Sequence, residues 1–209
     1  MSETSIRNIP RQSRSQQTVD LILDVAGDLF STVGYEAATT NAIAERAGIS
    51  IGSLYRYYPD KDAILKALAE RYYRQQRELF DTVFVPDARY LPPEVMLDRL
   101  VDPFLEMYRS QPVYAHILLG ADVSADIAAA SCGMEAELID RTAQFFRMLS
   151  PRLDESRAHL VAVVSKGVVK MLISLILASD DAAYQAQVTT EVKKMLLAYV
   201  APLLEEMDA

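Results

Sequence analysis

The 209-residue chain has no tryptophan, one cysteine, two histidines and only seven glycines. A lone Cys132 excludes an intramolecular disulfide and any multi-cysteine zinc site, so packing must hold the fold, in what is expected to be a reducing compartment. Cys132 itself is expected as a small buried hydrophobe. With so few histidines there is no HExxH or Glu-x-x-His pattern, and no P-loop or GxGxxG run appears. Glu155 and His159 stand four apart on one helix face, the spacing of an ordinary surface contact. No metal, cofactor or catalytic constellation is therefore expected.

Other absences narrow the architecture. No segment alternates apolar and polar residues between turn signals, which leaves no candidate strand, and no repeat of about 20–50 residues marks a solenoid. The N-terminus carries arginines but no apolar core, so it is not a secretory signal, and a cytoplasmic protein is expected. The most apolar stretch, residues 158–178, contains Lys166 and Lys170. Each lysine would cost about 2.5–3.5 kcal/mol at a bilayer centre, so this stretch reads as a helix buried in protein, with no membrane partner.

What is present is half apolar sequence, with mean hydropathy +0.06 and a net charge of −8. That composition suits a soluble protein with one or two cores. The acidity is uneven, with residues 1–83 summing to −1 and residues 84–209 to −7. If the first part meets nucleic acid, it must use a few placed groups and helix N-termini rather than a broad basic field.

Over residues 16–33, Val19, Ile22, Leu23, Ala26, Leu29, Phe30 and Val33 recur at three and four residues, an amphipathic helix ended by Gly34. Residues 1–15 read as a flexible arm. Thr39 or Thr40 caps a two-turn helix with the stripe Ile43, Ala44, Ala47, stopped by Gly48. Ser50 caps a second short helix over 51–58, where Leu54 and Tyr58 share a face and Pro59 forbids continuation. Two short helices across a tight glycine turn, with small residues where they cross, form the helix-turn-helix pattern. Residues 16–60 would make this domain and 61–83 a connecting helix with Ile64, Leu65, Leu68, Tyr72 and Leu79 on one face. Residues 84–93 read as a linker. Helices over 94–109, 113–119, 124–149, 155–179 and 183–207 complete an all-α chain whose second domain spans 84–209.

The run TTNAIAERAGISIGSLYRYYPDKDAIL, after a helix ending F-x-x-x-G-Y, resembles the DNA-binding domain of the TetR family of bacterial transcriptional regulators. The resemblance rests on Phe30, Gly34, Tyr35, Thr39, Thr40, Ile43, Ala44, Ala47, Gly48, Ser53, Leu54, Tyr55, Tyr58 and Lys61 ahead of Ile64 and Leu65. A helix over 51–58 would enter a major groove about 12 Å wide, with Ile51, Gly52, Ser53, Tyr55, Arg56 and Tyr57 outward. Ser53 can bond a base edge or a phosphate, and Arg56 a guanine or a phosphate. The resemblance further implies that Tyr55 and Tyr57 contact phosphate, that Thr40 holds one at its helix N-terminus, and that Lys61 clamps another. Thr39, Asn41 and Ser50 complete the expected DNA-facing set. Arg7, Arg11 and Arg14 form either an arm for a minor groove or backbone, or a solvated tail.

The resemblance also implies that the larger domain binds a small apolar or amphipathic effector and dimerises. Candidate cavity residues are Phe104, Met107, Tyr108, Tyr114, His116, Ile117, Met134, Phe145, Phe146 and Met171. The last two helices are apolar on more than one side, as a two-fold four-helix bundle requires. A homodimer would read a near-palindromic double-stranded operator with half-sites about 34 Å apart. The expected function is a ligand-released transcriptional repressor; the alternative is a helix-turn-helix protein acting as an interaction or architectural module.

Overall fold

A computed structural model describes residues 11–111, 113–114 and 125–205, and every regular element among them is helical. The α-helices are α1 (Arg11–Val33), α2 (Thr40–Arg46), α3 (Ile51–Tyr55), α4 (Lys61–Val83), α5 (Pro93–Ser110), α6 (Ala125–Leu149), α7 (Glu155–Leu177) and α8 (Ala182–Glu205), with a 3-10 turn at Pro86–Tyr90. The chain divides into two compact units at Glu70 and Arg71, inside α4. Residues 84–93 are therefore not the boundary. The 3-10 turn there buries Ala88 completely and belongs to the core of the second unit.

In the first unit, Ile22, Leu23, Ala26, Leu29 and Phe30 of α1 are buried with Ile43, Ala44 and Ala47, Leu54, and Ile64, Leu65 and Leu68. Each large aliphatic side chain so removed from water contributes about 1.5–3 kcal/mol. α1 ends where Gly34 takes φ +81°, a left-handed conformation that a side chain would strain. Helix α1 starts at Arg11, not at residue 16, so it takes in part of the expected arm. Arg14 is exposed on it, and its carbonyl accepts from Thr18 Oγ1 at 2.9 Å. Polar residues on every side hid this first turn from a periodicity argument. Arg7 lies outside the described residues.

The second unit stacks α6 on α7, α7 on α8, and α5 on both α8 and α7. Its core joins Met96 of α5, Phe145, Phe146 and Leu149 of α6, Val161 and Ala162 of α7, and Val200 of α8. Pro93 occupies the first turn of α5, where its missing N–H costs nothing. Asp154 caps α7 by accepting from Arg157 N at 2.7 Å. Helix α7 has the length and apolarity of a membrane span, yet it packs between α6 and α8 and half-buries both of its lysines. Two expectations fail here. Cys132 is exposed, because it sits on the outward side of α6 beside Gly133. His159 meets not Glu155 but Asp140 of α6, Nδ1 to Oδ1 at 3.4 Å, since the packing of α7 on α6 turns that face to its neighbour.

Candidate nucleic-acid interface and ligand cavity

Helix α2 is opened by Thr39, whose Oγ1 accepts from Ala42 N at 3.1 Å. It is closed by a paired turn: Gly48 N donates to Glu45 O at 3.1 Å and Ile49 N to Ala44 O at 3.0 Å, with Gly48 at φ +65°. This is the Schellman arrangement, which satisfies the last carbonyls and reverses the chain. Ser50 then opens α3, its Oγ accepting from Ser53 N at 3.1 Å and donating to Ser53 Oγ at 2.9 Å. Leu54 is fully buried and anchors α3 to the core. The α-helix stops at Tyr55 rather than residue 58. Tyr57 N and Tyr58 N both donate to Leu54 O, a tightened last turn ahead of Pro59.

With Leu54 inward, Ile51, Gly52, Tyr55 and Arg56 face solvent, and Ser53 and Tyr57 are half-buried. Thr40 Oγ1 lies 3.2 Å from the Tyr55 hydroxyl, so the start of α2 and the end of α3 present one continuous polar edge. Thr39, Asn41 and Ser50 are exposed along it. The Arg56 guanidinium rests 5.8 Å from the Tyr57 ring centroid. Ser15 Oγ reaches the Tyr57 hydroxyl at 3.4 Å, and this bond holds the phenol below its usual pKa. Ser15 was not expected here, because its segment read as an arm.

Lys61 is engaged from within. Its Nζ donates to the carbonyls of Tyr35 at 2.7 Å and Glu36 at 3.3 Å and lies 4.2 Å from the Tyr35 ring centroid. Tyr35 in turn donates to Asp62; burial, then that carboxylate, pushes its phenol well up. An ammonium has three donors, so Lys61 retains one for an outside acceptor.

The second unit contains a cavity of about 140 Å³ between α4, α5, α6, α7 and α8. Its walls are mostly carbon, from Phe80, Phe84, Leu100, Val101, Leu138, Val169, Ile173 and Leu196 among others. Its polar groups are Gln76, Tyr108, Thr142, Ser165, Lys166 and Lys170. Gln76 Nε2 donates to the Tyr108 hydroxyl at 2.9 Å, and Tyr72 OH lies 2.7 Å from the same oxygen. Burial raises both phenols, which stay protonated.

Of the ten expected cavity residues, Phe104, Tyr108 and Phe146 line the space. The Tyr114 ring is buried against Tyr72, centroids 4.9 Å apart, and Phe145 packs edge-on to Phe84. Met134 is buried and Met107 half-buried, both away from the cavity. Met171 is 43% exposed on the outer side of α7. His116 and Ile117 lie outside the described residues. The lysines were visible in the sequence as charges in the most apolar run, but periodicity could not say which way they turn.

The geometry defines a helix-turn-helix protein with a largely apolar cavity in its second unit. The profile of the family described as "Tetracyclin repressor-like, C-terminal domain" matches residues 92–199, and that of "Bacterial regulatory proteins, tetR family" matches residues 22–68. The chain is 26% identical over 211 residues to the HTH-type transcriptional repressor KstR of Mycobacterium tuberculosis, covering 100% of this chain and 89% of that one. Among solved structures it resembles SmeT in complex with triclosan, TM-score 0.70 at 20% identity, covering 88% of this chain and 91% of the other. It also resembles a putative transcriptional regulator from Saccharomonospora viridis in complex with choline, TM-score 0.69 at 16% identity, covering 87% and 96%. The chain belongs to the TetR family of bacterial regulatory proteins and is a DNA-binding transcriptional regulator.

Proposed function

We propose that the protein is a repressor that occupies a near-palindromic operator as a homodimer and leaves it when a small apolar or amphipathic effector fills the cavity. One observation carries this reading: a single chain holds both an outward α3 edge and a largely apolar cavity, and α4 contributes to each unit. KstR, similar along the whole chain, bears the name of a repressor, and two structural neighbours hold small molecules.

In this reading Ile51, Gly52, Ser53 and Arg56 face base edges, and Thr39, Thr40, Asn41, Ser50, Tyr55, Tyr57 and the third Lys61 donor face phosphates. The dimer forms through α7 and α8, whose outer sides expose Leu160 at 49%, Val163, Val164, Met171, Tyr184 and Met195 at 47%. A monomer is not expected to expose so much apolar helix surface.

Selection of bound duplexes from a fragmented genome by the purified protein tests the proposal. The expected result is a two-fold symmetric site for which Arg56→Ala costs about tenfold or more, relaxing the preference at the base it reads or lowering affinity uniformly if it meets phosphate. Weak, sequence-independent binding that falls steeply with salt would overturn it. Operator and effector must also weaken each other by the same factor.

A further inference from the structure

We propose that the cavity takes a small organic anion, an acidic head on an apolar body of about six to eight carbons, with the head against Ser165, Lys166 and Lys170 of α7. The inference rests on reading the cavity as the effector site and names the chemistry it selects.

Residues 165, 166, 169, 170 and 173 share the cavity side of α7, so two lysines one helical turn apart line a space whose walls are mostly carbon. Among the described residues no carboxylate lines that space. Lys166 is steadied from outside it, its Nζ 3.2 Å from the Glu135 carbonyl and 3.8 Å from the Glu135 carboxylate. Those two contacts leave a donor for a ligand. Lys170 has no ion-pair partner among the described residues, and the buried Ser165 Oγ has no hydrogen-bond partner among them either. Two cationic side chains and an unsatisfied hydroxyl therefore share one wall. An anion seated there can bond all three and offset the positive charge, while a cation meets like charge and an alcohol can accept from an ammonium without neutralising it. Burial pushes Lys166 down to about 8, which leaves it mostly charged at pH 7 and short of the solvation an anion would replace. The volume, about 140 Å³, is close to that of cavities that admit a benzene-sized body, which sets the size of the apolar part.

The test is isothermal titration calorimetry of the full-length protein at pH 7 with octanoate, octan-1-ol and octylammonium. Octanoate is expected to bind with a Kd at least tenfold below that of octan-1-ol, with octylammonium weakest. Lys166→Gln and Lys170→Gln should each weaken octanoate about tenfold and leave octan-1-ol within twofold. Lys166→Arg should keep the preference for the anion, and Lys194→Gln, outside the cavity, should change nothing. If Lys166→Gln fails to fold, Lys170→Gln carries the test. Equal affinity for octanoate and octan-1-ol would overturn the anion proposal and leave an apolar effector site standing. Failure of all three compounds to bind would overturn the effector site itself, and the proposal with it.

Discussion

Lys166 illustrates how a single side chain can lower stability while equipping a site. Its pKa falls to about 8 because burial strips its ammonium of water, more than the Glu135 carboxylate restores. The unfolded chain holds that proton up to about 10.5, so between pH 8 and 10.5 it binds more protons than the folded one, and stability rises with pH there. The cost is thus full below pH 8 and gone above 10.5. Lys166→Met is expected to raise unfolding stability by about 1–2 kcal/mol at pH 7, discounted for the water that still reaches the group, with the gain vanishing toward pH 10.5. Urea titrations at several pH values check both sign and range. The Tyr108 hydroxyl does the opposite. It serves Gln76 and Tyr72 at once, so Tyr108→Phe leaves two buried polar groups short and should cost about 1–3 kcal/mol, read as a lower thermal midpoint.

Among the elements, the turn between α2 and α3 is the most tightly determined by local chemistry. A Cβ built on Gly48 would meet nothing within 4 Å, so the cost of Gly48→Ala comes from its φ of +65° alone, about 1–2 kcal/mol. Gly48→Asn should cost less, because asparagine tolerates that conformation; chemical denaturation of both variants separates strain from crowding. Such short-range features were legible in the sequence. Thr39, Gly48 and Ser50 act within three to five residues of themselves, and the structure places them as caps and turn. The start of α1 was not legible, because its first turn is polar on every side and is fixed by contacts such as Ser15 with Tyr57, 42 residues away. The cavity was legible only in part. Residue type marks Phe146 and Met171 alike as apolar, but the rotation of each helix, set by its neighbours, turns one to the cavity and the other to solvent.

For the whole molecule, the outer sides of α7 and α8 make a testable claim about assembly. Introducing Leu160→Glu and Met171→Glu together places two charges among apolar side chains that the proposed dimer covers. Both positions are already exposed in one chain, at 49% and 43%, so folding should survive. Sedimentation should show a monomer with unchanged helical circular dichroism, and operator affinity should fall by about two orders of magnitude or more, since one recognition helix then binds without its pair. A double variant that stays dimeric would move the interface elsewhere.

The bonds that fix α3 all run through Ser50, Leu54 and the Thr40–Tyr55 pair. The side chains at positions 51, 52 and 56 close none of them. A descendant of this chain can exchange those three residues for others and keep its melting temperature, so, with these positions facing base edges as proposed, its address on the genome is free to drift while its fold is inherited intact. Under that proposal operator choice and foldability are separate traits, and new regulons are reachable by single steps that selection for stability does not oppose.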